Sequence, residues 1–118
     1  MTVYAVQQTL NENDEGQLVP KHNVSAARRF GDIKEILAPN AKPFMPELVI
    51  DNIYKALATF NNDDYILAIG NPILIGWSMT IAALMNDGKG RALQWNGKRR
   101  EYVEIRYNLG NIQKIVCK

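Results

Sequence analysis

Gly70, Asn71 and Pro72 separate the apolar run Tyr65-Ile66-Leu67-Ala68-Ile69 from a second apolar run that begins at Ile73. A glycine that ends a strand, an asparagine that can cap and a proline suited to the first helical position together predict a helix start. There, unpaired amides and the positive end of the helix dipole can meet an anion. The plainer reading is a tight turn. Gly70 and Gly76 are not followed by Lys-Ser or Lys-Thr, so no Walker phosphate loop is present, and no Gly-x-Gly-x-x-Gly occurs.

A second polar group is His22, Asn23 and Ser25. His22 and Ser25 resemble half of a nucleophilic pair, but near neighbours on a loop do not give that geometry, and no acid is placed to orient the imidazole. Ser25 is expected to cap a short helix. His22 reads as a loop histidine or, if the loop faces Gly70-Asn71-Pro72, as a ligand contact across a crevice.

The third group mixes cations with rings: Lys98, Arg99 and Arg100 with Trp95, Tyr102 and Arg106. Single-stranded nucleic acid is bound by such sets, with bases stacked on rings and phosphates neutralised by cations. A charged edge hairpin that resists strand-to-strand aggregation accounts for the same residues. Alternation along the strand puts Tyr102 and Arg106 on the face opposite Val103, Ile105 and Tyr107, so only part of the set acts together.

Other groupings carry less. Asp63-Asp64 and Asn13-Asp14-Glu15 lack the alternating spacing of a calcium loop and read as solvated turns. One cysteine, Cys117, and one histidine make neither an internal disulfide nor a zinc site, so no metal or cofactor is expected. The run Ile73 to Met85 has about half the length needed to cross a bilayer, and residues 1–20 lack the basic and apolar regions of a signal peptide. The expectation is a cytosolic protein with no membrane partner. Asn23-Val24-Ser25, formally a glycosylation sequon, is then without meaning.

These groups must be positioned by a chain of 118 residues, 47% of them hydrophobic, which suits one domain with a modest core. Val3 to Leu10 reads as a first strand, and the polar stretch Asn11 to Gly16 as exposed loop. A one-to-two-turn helix follows Ser25 up to Gly31, then a strand Asp32 to Ala38 ended by Pro39. Ile50, Ile53, Tyr54, Leu57 and Phe60 fall three or four apart after Pro46, one apolar stripe on a surface helix. Tyr65 to Ile69 has the form of a parallel strand covered on both faces. The helix after Pro72, ending near Asn86, is apolar nearly all round, hence packed inside or covered by a partner, which leaves room for a homo-oligomer.

Arg91 to Trp95 and Glu101 to Leu109 read as a hairpin. A five-residue loop, Asn96 to Arg100, sets Leu93 opposite Val103 and Trp95 opposite Glu101, and is preferred to the two-residue Asn-Gly turn. The alternation of strands and helices predicts an α/β fold, a three-layer, Rossmann-like, mainly parallel sheet with a C-terminal β-hairpin. Residues 1–109 form the domain and 110–118 a tail. With the third strand beside the first and the second outside, the crevice at the strand ends brings together the loop Asn11 to Ser25 and Gly70 to Pro72.

The segments His22 to Gly31, Asp63 to Pro72 and Trp95 to Tyr107 together resemble small proteins of tailed bacteriophages, including marine ones. Two departures stand out: Asn23 where that pattern has an acidic residue, and the added tail Gly110 to Lys118. The resemblance implies a phage origin and an α/β domain, and no activity.

Charge is uneven. Residues 88–118 hold eight basic and two acidic side chains, +6, leaving −4 for the rest of a chain whose net charge is +2. That polarity favours an acidic partner for the C-terminal part. No base, nucleophile, metal set or cofactor motif is in place, so an enzyme ranks last. The expectation is a non-enzymatic phage accessory protein in the host cytoplasm. It binds a host protein or a small anionic, nucleotide-like ligand through His22, Asn23, Ser25, Gly70, Asn71 and Pro72. The alternative is nucleic-acid binding through Trp95, Lys98, Arg99, Arg100, Tyr102 and Arg106.

Overall fold

A computed structural model of the protein describes residues 1–21 and 23–112. Its elements in order are strand β1 (Thr2–Gln7), a small ribbon of β2 (Leu10–Glu12) and β3 (Leu18–Pro20), a 3-10 helix (Ser25–Phe30), strand β4 (Asp32–Leu37), helix α1 (Pro46–Ala56), strand β5 (Tyr65–Leu67), helix α2 (Pro72–Met85), and strands β6 (Lys89–Asn96) and β7 (Glu101–Asn108). Five strands form one sheet in the order β4-β1-β5-β6-β7. Pairing is parallel from β4 to β6 and antiparallel between β6 and β7. The fold is mixed α/β with a mostly parallel sheet, as expected, and β1 and β5 lie side by side with β4 outside, the order on which the strand-end crevice depends.

Alternation along the strands divides the core between the two sheet faces. Tyr4, Val6 and Ile66 point to one side and pack with Val49 and Ile53 of α1 and Leu74 and Ala82 of α2. Val3, Ala5, Leu67 and Leu93 point to the other, where Ala27 and Phe30 of the 3-10 helix and Tyr102 complete a smaller cluster. The segments that follow β1 and β5 thus leave on opposite faces.

Several elements differ from the sequence reading. The stretch Asn11 to Gly16 is not all loop: Leu10–Glu12 pairs with Leu18–Pro20 around a turn in which Asn13 Oδ1 accepts from the amides of Glu15 and Gln17. The apolar stripe of α1 is centred on Val49 and Ile53, while Ile50 and Tyr54 are left exposed. The β6–β7 turn is four residues long, Gly97 to Arg100, and sets Trp95 opposite Tyr102 and Leu93 opposite Glu104. Asn96 Oδ1 accepts from the amides of Lys98 and Arg99, and Arg100 takes a positive φ of 54°, which closes the turn one residue tighter than expected. That one-residue shift turns β7 over relative to β6. It sends Tyr102, only 3% exposed, into the core beside Leu93 and sets its ring edge-on to Trp95 at 5.1 Å.

The α2 helix keeps only one face covered. Leu74, Ser78, Ala82 and Ala83 are buried, whereas Ile73 and Leu84 are exposed. Its contact with the hairpin is specific: the Tyr107 hydroxyl donates to Met79 O at 2.7 Å, and the ring lies where any side chain at Gly90 would have to go. Burial pushes the Tyr107 phenol up to about 12 from the usual 10.0. A raised phenol pKa favours the protonated fold, so its contribution is complete below pH 10 and is lost as pH rises toward 12. Urea unfolding midpoints should fall through that window, and Tyr107→Phe should be less stable at pH 7 and show a smaller fall.

Candidate functional site

At the carboxyl ends of β1 and β5 the strands separate around Gln7, which is 2% exposed. A buried primary amide must find partners for both ends. Gln7 Nε2 donates to the carbonyls of Ala38, Pro39 and Ala41 at 3.1, 3.3 and 2.7 Å, and its Oε1 accepts from the Asn71 amide at 3.2 Å. One side chain therefore ties the exit of β4 to the entry of α2. Its own amide donates to Ile69 O at 3.2 Å.

Gly70 makes this approach possible. It sits at φ +107°, and a Cβ there would lie 2.6 Å from Gln7 Cβ and 2.8 Å from Gln7 O. Both the conformation and the space require glycine. Asn71 then caps α2, its Oδ1 accepting from the Ile73 amide at 2.9 Å, with Pro72 in the first turn.

The amides at this helix start are largely committed. Asn71 N–H goes to Gln7, Pro72 has none, Ile73 N–H goes to the cap and Ile75 N–H to Asn71 O. Leu74 N–H lies on a fully buried residue. The expected row of free amides for an anion is spent within the fold, and the attraction left there is the helix dipole.

Charge in the crevice comes instead from lysines. Gln7, Thr9, Lys21, Pro39, Ala41, Lys42, Gly70 and Asn71 line a cavity of about 220 Å³. No carboxylate is among them, and neither lysine makes an ion pair among the described residues. The Thr9 hydroxyl is buried and has no hydrogen-bond partner among the described residues. Sequence reading passed over Gln7, Thr9, Lys21 and Lys42; the one available signal was a glutamine closing the apolar run of β1.

The expected ligand set is placed unevenly. Gly70 and Asn71 line the cavity, while Pro72, Asn23 and Ser25 do not. His22 lies outside the described residues. Ser25 is not the helix cap: Val24 occupies that position without a side-chain bond, and Asn23 Oδ1 accepts from both the amide and the hydroxyl of Ser25, at 3.0 and 2.7 Å. The carbonyl of Asn23 accepts from the Tyr102 hydroxyl at 3.4 Å, which draws this loop toward the hairpin.

The basic set is brought together in part. Trp95 is 48% exposed beside buried Tyr102, and Lys98, Arg99 and Arg100 are exposed in the turn. Arg99 and Arg106 pair with Glu101 and Glu104 at 3.6 and 3.4 Å. Asp64 is not a solvated turn residue. It is 5% exposed, its carboxylate accepting from the amides of Thr2 and Asn61, at the end of β5 remote from Gly70.

A family model described as phage Pam3 gp32-like protein matches residues 1–109. The chain belongs to that family. It is a small bacteriophage protein, as its sequence resemblance implied. No curated protein and no solved structure matches it. Among the described residues no helix is long and apolar enough to cross a membrane, and no group of three or more His, Cys, Asp or Glu is set to hold a metal ion.

The Gln7 bridge predicts a stability cost. Gln7→Leu strands three carbonyls and the Asn71 amide and should destabilise by about 2–3 kcal/mol. Gly70→Ala should cost about 2–4 kcal/mol through positive φ and the clash with Gln7. Urea denaturation measures both, with Gly97→Ala, where a Cβ meets nothing within 4 Å, as the mild control.

Proposed function

We propose that this phage protein is a non-enzymatic accessory protein of the host cytoplasm that binds a small anionic ligand in the crevice at the carboxyl ends of β1 and β5. The reading treats the sheet, with α1 and α2 on one face and the 3-10 helix on the other, as a reduced Rossmann-like, three-layer arrangement. In such sheets ligands take the point where neighbouring strands send their connections to opposite faces. The observation that carries it is the pair Lys21 and Lys42 on a polar cavity with no carboxylate in its lining. Two cations that form no ion pair among the described residues, near a helix N-terminus, favour an anion by charge and dipole together.

The cavity volume suits a phosphate or carboxylate group with a short attached body rather than a whole dinucleotide. Lys21 and Lys42 act as point charges on flexible stems, and the Gln7–Gly70–Asn71 frame supplies a fixed floor. A second reading has a host protein as the partner, favoured by the exposed apolar side chains Phe44, Met45, Leu48 and Tyr54 at the start of α1 and along it.

Isothermal titration with inorganic phosphate and with adenosine monophosphate tests the crevice. Binding by the wild-type protein should weaken at least about tenfold in Lys21→Gln/Lys42→Gln, the loss of about 1.4 kcal/mol or more expected for two charge-assisted contacts. Equal binding by the variant, or none by the wild type, rejects the crevice reading.

A further inference from the structure

Folding places Arg29 beside the basic hairpin, which its sequence position does not associate with it, and Arg28 is its neighbour on the same 3-10 helix. Arg28 and Arg29 are exposed on the 3-10 helix, and Arg29 Nη2 donates to Tyr102 O at 3.5 Å. The same guanidinium lies 4.5 Å over the Phe30 ring. The Tyr102 hydroxyl in turn reaches Asn23 O. Arg29 and the turn cations at 98–100 therefore flank the start of β7, with Arg28 next to Arg29 on the 3-10 helix.

The balance of charge there is one-sided. Arg28, Arg29, Lys98 and Arg100 make no ion pair among the described residues, whereas Arg99 and Arg106 are partly neutralised by Glu101 and Glu104. From Arg100 to Arg106 the strand runs about 20 Å at the rise of an extended chain. At its upper end the Trp95 ring is half exposed, held edge-on against the buried Tyr102 ring at 5.1 Å. A large apolar ring fixed in orientation by its neighbour, on a surface that also carries exposed cations, is costly to leave in water and well suited to a flat, anionic partner.

We infer that the surface formed by the 3-10 helix and the β6–β7 hairpin binds single-stranded nucleic acid, with phosphates on Arg28, Arg29, Lys98 and Arg100 and a base stacked on Trp95. It is separate from the crevice, whose lining includes none of these residues. Charge complementarity selects a polyanion, and the exposed ring selects one with unstacked bases over a duplex, whose bases are hidden.

Fluorescence anisotropy of the full chain with a labelled oligothymidylate or oligouridylate of about sixteen nucleotides tests this. Four neutralised phosphates give a slope of log K against log salt of about −3, a loss of about fiftyfold between about 50 and 200 mM salt. Arg28→Gln/Lys98→Gln removes two exposed charges and should halve that slope, with circular dichroism checking the fold. Trp95→Ala should weaken single-strand binding by about fivefold or more, and Trp95→Phe by less. No binding at low salt, or an unchanged slope in the double variant, overturns the inference. So does duplex binding of equal strength with no dependence on Trp95, and so does capture by phosphatidylserine vesicles in preference to either oligonucleotide.

Discussion

The side-chain amide of Gln7 is buried where two parallel strands part, and it bonds to backbone groups of two different connections. Strand ends in a parallel sheet leave carbonyls and amides that the ladder no longer serves, and each would cost free energy if left dry and unpaired. Gln7 serves the turn after β4 and the start of α2 at once. The close approach this needs is why Gly70 has no side chain and why the α2 start points where it does. The crevice is thus a by-product of satisfying the backbone. Its lysines are additions on flexible stems around a frame fixed for structural reasons.

The hairpin obeys a different constraint. Its register follows from the side-chain cap of Asn96 on the turn amides, and that register decides which face of β7 is buried. Once Tyr102 enters the core with Leu93, Trp95 gains a ring to lean on and the 3-10 helix gains a docking point through Arg29. Placement of cations on the surface therefore depends on a turn four residues long.

The long-period signals were legible. The apolar run of β5 and the helix starts at Pro46 and Pro72 followed from periodicity and turn residues, while the packing rules of parallel sheets only narrowed the strand orders to a set that includes β1 beside β5. What escaped was set by single hydrogen bonds between distant segments. Nothing in the local sequence marks Asp64 as the acceptor for the Thr2 amide, or Gln7 as the acceptor for Asn71. The hairpin register was missed because pairing Leu93 with Val103 looks better by hydrophobicity, while the cap on the turn decides otherwise. At the site, Gly70 and Asn71 were identifiable from turn chemistry alone. Lys21 and Lys42 were not, since exposed lysines are common and only the fold shows which of them share a cavity.

The position of β1 in the middle of the sheet has a consequence for biosynthesis. β1 leaves the ribosome before either of its neighbours: β4 must emerge to Leu37 before one edge is paired, and β5 to Leu67 before the other is. At roughly 5–20 residues per second the second edge stays open for about 2–6 s after the first closes. During that interval an apolar strand with a free edge is exposed to other nascent chains. The strand is only six residues long and ends at Gln7, which limits how far a foreign strand can extend the pairing.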